Sequence, residues 1–346
     1  MSRLADSSLA QLTLWRFREF TREPEALFWV FAFPVLLALA LGIAFKNRAP
    51  EVVRIGVERR PGAEALTRAL DASPRIEARI FDSTEAHNRL RSGRVALVVQ
   101  PGDSVTFVYD STRSESGFAR LLVDDVLQAA SGRRDVRPVR DVTITEPGAR
   151  YIDFLIPGLL GLNIMGTGMW GLGFGLVRTR TQKLLKRFLA SPMRRSEFLF
   201  GQILARLAFL VPETTAVLAF GYLAFGVPVR GSLVAIGVIV ILGAMVFAGL
   251  GLLVASRART IEGVSGLMNV VMVPMWIGSG VFFSYSHFPD AVQPLLKALP
   301  LTALIDALRA VMLDGASLVS TAAQLGIMAV WGGACFGLAL AMFRWE

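Results

Sequence analysis

Six long apolar stretches constrain the fold of this chain more than any other feature of its sequence. They lie at 27–45, 152–177, 203–225, 232–255, 264–283 and 321–343. An α-helix needs about 20 apolar residues to cross the roughly 30 Å hydrocarbon core of a bilayer, and each stretch reaches or approaches that length. Because 53% of the residues are hydrophobic and only 18% are charged, an ordinary soluble domain is excluded. The sequence predicts a polytopic α-helical membrane protein with six transmembrane helices.

The distribution of lysine and arginine predicts the orientation of these helices. Short cytoplasmic loops are enriched in both residues, because cationic residues resist translocation. With a cytoplasmic N-terminus, the inner segments would be 1–26, 178–202, 256–263 and 344–346. These segments hold fourteen basic residues, whereas the short outer segments hold three, which are Arg230, Lys297 and Arg309. We therefore expect both termini in the cytoplasm of a bacterium and the helices in its inner membrane. The basic residues lie between apolar stretches, so no nucleic-acid partner is expected.

The segments on either side of the first apolar stretch differ in character. Residues 1–26 interleave Leu, Trp and Phe with Arg, which is typical of a helix in the membrane interface, with an ordinary polar tail as the alternative. So long a preceding segment argues against a signal peptide. Residues 46–151 alternate strand-like and helix-like stretches, and they are enough for a small α/β domain. We expect this domain outside the membrane, followed by a membrane domain over 152–346.

Metal and disulfide chemistry are not expected. The two histidines, His87 and His287, lie in different segments without a neighbouring cysteine, so a zinc site is not indicated. The single cysteine, Cys335, lies inside the last apolar stretch and is interpreted as a packing residue.

The cytoplasmic segment 178–202 contains a short amphipathic helix. Leu184, Leu185 and Phe188 recur at helical spacing, basic residues cover the remaining surface, and Pro192 ends the helix. From composition alone, a basic loop held by lipid headgroups is the alternative.

Two motifs resemble the type-2 class of ABC export permeases. The sequence LKRFLASPMRRSEFL at 185–199 is similar to the coupling region that docks on the nucleotide-binding subunit in this family. The sequence PMWIGSGVFF at 274–283, followed by further motifs up to Arg309, resembles the signature that closes the family's membrane domain. With the large domain after the first span, the resemblance covers nearly the whole chain.

The resemblance implies a transport subunit without an ATPase site of its own. Two permease subunits, as a homodimer or a heterodimer, would be driven by two copies of an ABC ATPase that binds ATP and Mg. In agreement, the chain has no Gly-x-x-x-x-Gly-Lys-Ser/Thr loop, so no cofactor is expected in it. The residues implied in ATPase coupling are Lys183, Leu184, Leu185, Lys186, Arg187, Phe188, Pro192 and Glu197. Many relatives carry an acidic residue and a glycine where this chain has Arg178 to Thr181, so the detailed contacts are expected to differ.

Polar and helix-breaking residues inside the spans are candidates for the transport pathway or the subunit interface. Glu213 lies near the middle of the third span, where an ionised acid costs about 2.5–3.5 kcal/mol, so it should face protein or water. Arg206 lies roughly 10 Å earlier, too far for a direct pair unless the helix bends at Pro212. A structural acid between helices is the alternative. The resemblance places spans two and five along the pathway, which adds the candidates Gly171, Gly175, Met272 and Pro274.

Further predictions concern spans two and five and the outer face. The glycines of span two are expected to permit close contact at a subunit interface, with packing inside the chain as the alternative. Pro274 is expected to break or kink span five. Residues 284–313 are predicted to form an outer re-entrant segment. The candidates for an outer gate are Phe282, Phe283, Asp306 and Arg309, the last two as an ion pair on one helical face or merely as a surface pair.

No motif identifies the cargo. The apolar, Met-rich spans two and five suit a hydrophobic or amphipathic compound such as a drug or a lipid, although methionines also serve ordinary packing. Polysaccharide export is an alternative. A receptor with an outer ligand-binding domain is a second alternative, a channel or secondary transporter a third. A membrane enzyme would require clustered His, Cys or carboxylates, and the sequence contains no such cluster.

Overall fold

A computed structural model describes Arg18 and residues 21–46, 52–102, 104–133, 148, 150–181, 195–258 and 260–342. The chain divides into two compact units. One comprises residues 1–46 and 144–346 and is called the helical unit below; the other comprises residues 47–143 and is called the α/β unit. Helices and strands are numbered along the whole chain.

The helical unit contains long helices, two of which include a π-helical turn. Helix α1 joins Pro24–Leu27, the π-helical turn Phe28–Ala32 and Phe33–Lys46. Helix α5 joins Tyr151–Gly168, the π-helical turn Met169–Phe174 and Gly175–Thr181. The remaining helices are α6 (Arg195–Phe225), α7 (Leu233–Arg257), α8 (Ile261–Gly278), α9 (Gln293–Lys297), α10 (Pro300–Asp314) and α11 (Ala322–Met342), with a 3-10 turn at Tyr285–His287.

Five helices in the described part of the chain are long and apolar enough to cross a membrane. They are Tyr151–Arg178, Leu204–Phe225, Leu233–Arg257, Ile261–Gly278 and Ala322–Met342. The predicted first span corresponds to a shorter apolar helix, Phe28–Ala44. The predicted fifth span ends earlier than expected, at Gly278, but its helix continues through Pro274. The helix therefore does not break at this proline, and the alternative, a kink, stays a prediction.

Helix α5 forms the centre of the helical unit. In an 18-residue apolar stretch of α5, 78% of the residues are buried, compared with 28% in α6, 28% in α8 and 17% in α11. Helices α6, α8 and α11 expose large apolar side chains, among them Leu223, Val270 and Val330. Since exposed apolar surface of this extent is unfavourable in water, these helices have the surface of lipid-facing elements.

Close packing around α5 depends on glycine. A Cβ atom at Gly173 would lie 2.6 Å from the carbonyl oxygen of Gly251 on α7, and one at Gly158 would lie 2.5 Å from that of Val281. Both distances are shorter than a normal contact, so only glycine lets the backbones approach this closely. These glycines of span two therefore pack inside the chain, which was the alternative to a subunit interface.

The predicted re-entrant segment consists of short helices. Helix α10 buries Leu301, Leu304, Ile305 and Leu308 in the core of the helical unit, and all four side chains are fully buried. The shorter α9 precedes it, and Pro300 occupies the first turn of α10, where its missing N–H leaves no hydrogen bond unmade.

In the residues that the structure describes, the α/β unit contains a four-stranded sheet and three helices. Along the chain its elements are β1 (Val53–Glu58), α2 (Ala63–Asp71), β2 (Ile76–Phe81), α3 (Ser83–Arg91), β3 (Leu97–Gln100), β4 (Thr106–Val108) and α4 (Ser114–Ala130). The strand order is β2-β1-β3-β4, with β1 parallel to β2 and β3, and with β4 antiparallel to β3.

Successive residues of β3 face opposite sides of this sheet. Leu97 and Val99 pack with residues of α2 and α4, whereas Val98 packs with Ala86 of α3. Burial on both faces explains why the central strands are continuous apolar runs.

Candidate functional site: a cavity with a buried ion pair

Helices α1, α5, α6 and α8 and the turn after α8 surround a cavity of about 880 Å³. Small-molecule sites in proteins usually measure about 300–1,000 Å³, so its size suits one small ligand. The cavity brings together five residues that the sequence singled out, from four separate segments: Gly171, Gly175, Glu213, Met272 and Phe282.

A hydrogen-bonded triad forms the polar part of the wall. Nη1 of Arg206 donates to Oε2 of Glu213 at 2.7 Å, and the two side chains are 9% and 0% exposed. The hydroxyl of Thr167 on α5 donates to Oε1 of Glu213 at 3.0 Å, and Nη2 of Arg206 contacts the same hydroxyl oxygen. An ionised acid without such partners would be very costly to bury, so the triad is what makes a carboxylate tolerable at this depth.

Arg206 and Glu213 are in direct contact, which the sequence predicts only if the helix bends. Seven residues of helix separate their Cα atoms by roughly 10 Å along the axis, which led to the prediction that a bend at Pro212 would be required. Helix α6 continues through Pro212 from Arg195 to Phe225, and a bend at this proline stays a prediction. The pair forms because both side chains are long and lie on the same face, two turns apart.

The two π-helical turns both contribute to the cavity, and the sequence reasoning missed them. Trp29 and Val30 come from the turn in α1, whereas Trp170 and Gly171 come from the turn in α5. The side-chain amide of Asn163 donates to the carbonyl oxygen of Val30 at 2.9 Å and joins the two helices. π-Helical turns are rare and occur frequently at functional sites, yet their local sequences carry no signal that distinguishes them from α-helix.

The cavity reaches a second ion pair at one end. Nη1 of Arg178, in the last turn of α5, lies 3.2 Å from Oε1 of Glu23. The two side chains are 46% and 45% exposed, so solvent screens this pair far more than the triad.

At the other end, two side chains hold the turn that follows α8. The hydroxyl of Tyr151 donates to the carbonyl oxygen of Phe282 at 3.0 Å. The guanidinium of Arg309, on α10, donates to the carbonyl oxygens of Phe154 and Gly280 and lies 3.5 Å from the centroid of the Phe154 ring. We call Tyr151, Phe154 and Arg309, with the turn 280–282, the latch.

The predicted ion pair between Asp306 and Arg309 is not formed in the described structure. Asp306 instead accepts a hydrogen bond from the hydroxyl of Tyr285 at 3.1 Å, while Arg309 binds backbone carbonyls. Burial raises the pKa of the Asp306 carboxyl and lowers the pKa of the Arg309 guanidinium to about 10. At neutral pH the guanidinium is therefore still charged, and it donates to carbonyl dipoles in place of a carboxylate.

Other predicted site residues lie elsewhere. Phe283 is 43% exposed and Pro274 is exposed on α8, and neither belongs to the cavity wall as described. The predicted coupling residues 183–192 lie outside the described residues. Glu197 lies within α6, but the surroundings of its side chain are outside the description.

Comparison with known proteins gives the family. The pattern of the family described as ABC-2 family transporter protein matches residues 24–341. The chain belongs to this family. It is therefore a permease of the ABC export class, which agrees with the resemblance of its motifs.

Relatives with full-length and partial similarity support the assignment. The chain is similar to the "Probable multidrug ABC transporter permease YbhS" of Escherichia coli K12, with 23% identity over 86% of each chain. It is 27% identical to "ABC transporter G family member 20" of Dictyostelium discoideum. This match covers 53% of the permease and only 26% of the Dictyostelium protein. It is 27% identical to "Nodulation protein J" of Bradyrhizobium diazoefficiens over 57% of this permease and 75% of that protein.

Proposed function

We propose that this permease exports a hydrophobic or amphipathic compound, either a drug or a lipid-like molecule, with ATP that a separate ABC ATPase hydrolyses. The observation that carries the proposal is the cavity, since its predominantly aromatic and aliphatic wall lies among helices of membrane-spanning length. Binding sites for such ligands are apolar with a few polar groups that fix orientation, as in this cavity. The printed name of the E. coli relative, a probable multidrug permease, supports the same class of cargo.

The assembly and topology are part of the proposal. Two permease subunits and two ATPase subunits would form the complex, with ATP and Mg in the ATPase. The helix over 28–44 would be the first of six spans, tilted little because it is short. Both termini and residues 178–202 would lie in the cytoplasm of a bacterium, and residues 46–151 on the outer side of its inner membrane, as the distribution of basic residues indicates.

ATPase activity of the complex tests the proposed coupling. The permease, purified in lipid with a co-expressed ABC ATPase from the same organism, should show vanadate-sensitive hydrolysis. A double substitution, Leu184→Asp and Phe188→Asp, should abolish stable association or uncouple hydrolysis from cargo, because two charges replace the apolar face of the predicted coupling helix.

A matched control uses the same two residue types on the α/β unit. Phe118 and Leu121 are 47% and 63% exposed, so Phe118→Asp with Leu121→Asp should leave association and hydrolysis intact. If no ATPase associates with the wild-type permease, or if both double variants behave alike, the proposed function is wrong.

A further inference from the structure

The charged side chains that line the cavity are paired with one another. In the described structure these are Arg206 with Glu213 and Arg178 with Glu23. Two positive and two negative charges leave the wall without net charge. The cavity consequently offers no fixed charge that would attract an ionic ligand.

The buried pair of Arg206 and Glu213 also resists replacement of either residue by a charged ligand group. Both carboxylate oxygens of Glu213 already accept hydrogen bonds, one from Thr167 and one from Arg206. A cationic ligand would have to displace Arg206, and an anionic ligand would have to displace Glu213. Either exchange leaves a protein charge without its partner at membrane depth, which is strongly unfavourable.

Two hydrogen-bond donors in the wall lack an acceptor. Nε of Arg206 and Nε1 of Trp276 are buried N–H groups without a partner among the described residues, and both side chains line the cavity. A buried donor without an acceptor is unfavourable. Nε of Arg206 belongs to the planar guanidinium that holds Glu213 and cannot turn without disturbing the ion pair. The indole of Trp276 is not part of the pair, so a ligand oxygen that it turns to meet would relieve the cost of its unpaired donor.

The cavity is elongated. Its wall extends along α5 from Leu159 to Arg178, a distance of about 28 Å at 1.5 Å per residue. A wall of this length suits a chain-shaped ligand that lies along the helix.

We propose that the cavity binds an uncharged, chain-shaped amphiphile with an acceptor oxygen beside Trp276, and that the closed Arg206 and Glu213 pair selects against charged ligands. As an assignment of cargo, this inference rests on the proposed export function. As an assignment of a binding site, it is independent of ATP hydrolysis.

Binding to the permease alone in lipid nanodiscs tests the selectivity. The probes share one brominated tail and differ in charge: dibromostearate, its methyl ester and dibromostearylamine. Bromine quenches tryptophan, and Trp29, Trp170 and Trp276 report from the cavity wall. We expect the ester to bind about tenfold more tightly than either ion, since each ion must break the pair. Excess unbrominated ester should reverse the quenching, which separates a saturable site from dissolution in the bilayer.

Three variants separate charge selection from a structural role. Glu213→Gln keeps the shape of the side chain but leaves Arg206 without a counter-charge, so dibromostearate should become the preferred probe. The double variant Arg206→Gln with Glu213→Gln should restore the preference for the ester. Asp153→Asn alters a buried acid that pairs with Arg150 at 2.8 Å outside the cavity wall, and it should leave the preference unchanged.

The outcomes are distinct from those of the coupling experiment. Quenching that unlabelled ester cannot reverse would overturn the binding site. Equal binding of the three probes, or a uniform loss in Glu213→Gln without a change of preference, would overturn charge selection even if ATP-driven coupling is demonstrated. Failure of ATPase association would remove the cargo assignment and leave the binding result standing.

Discussion

Helix α5 uses glycine in opposite ways on its two faces. On the face toward α7, Gly173 lets the backbone contact Gly251, and no larger residue fits there. On the cavity face, an added Cβ at Gly171 would have nothing within 4 Å. The first face is held by close packing, whereas the second leaves open space and relies on the triad of Thr167, Arg206 and Glu213 for its cohesion. One helix therefore supplies both the rigid support and the adaptable wall of the site.

The largest expected effect comes from removing the charge that stabilises the cavity face. Glu213→Ala leaves Arg206 buried without a counter-charge, which should lower the free energy of unfolding by about 3–5 kcal/mol. Thermal unfolding in nanodiscs measures the loss. Replacing both residues by leucine should recover most of it, because no unpaired charge remains. A double variant as unstable as the single one would show that packing, and not charge, holds this face.

The next effect concerns the latch, where Tyr151 of α5 and Arg309 of α10 hold the turn 280–282. Arg309→Lys keeps the charge but loses the planar fork that reaches Phe154 and Gly280, so stability should fall by about 1.5–3 kcal/mol. Hydrogen exchange of residues 279–284 should accelerate in the same variant. Asp306→Asn is the control, since Asp306 binds Tyr285 and forms no salt bridge with Arg309 in the described structure. Wild-type exchange in Arg309→Lys would mean that charge alone holds the latch.

A direct comparison of the faces follows from two equal substitutions. Gly173→Ala forces a methyl group against the Gly251 carbonyl and should cost about 1–3 kcal/mol. Gly171→Ala meets open space and should change stability by less than about 0.5 kcal/mol. Thermal unfolding of both variants checks the difference, and equal losses would contradict the assignment of the faces.

The smallest effect is expected from a single hydrogen bond of the latch. Tyr151→Phe removes the bond to the carbonyl oxygen of Phe282 and should cost about 0.5–1.5 kcal/mol. Its hydrogen exchange should accelerate only near Phe282. An effect as large as that of Arg309→Lys would place the main contact of the latch at Tyr151.

The sequence predicts those parts of the structure that depend on local pattern. Long apolar runs identify the helices, and the position of Glu213 inside one of them marks the polar centre of the cavity. The partners of Arg309 could not be predicted, because Phe154 lies 155 residues away and offers only a carbonyl oxygen and a ring. The same limit applies to Asn163, which binds a backbone oxygen 133 residues away. Contacts to backbone atoms leave no trace in side-chain patterns.

The π-helical turn at 169–174 sets the register between the two ends of α5. A π-helical turn holds one residue more than the corresponding α-helical turn, and each residue of an α-helix accounts for a rotation of about 100° and a rise of about 1.5 Å. Without the extra residue, everything after the turn would be rotated relative to everything before it. Arg178 would then no longer face Glu23, while Thr167, before the turn, would keep its contact with Glu213. The turn, whose Gly173 is packed against Gly251, therefore fixes the position of the exposed ion pair relative to the buried one.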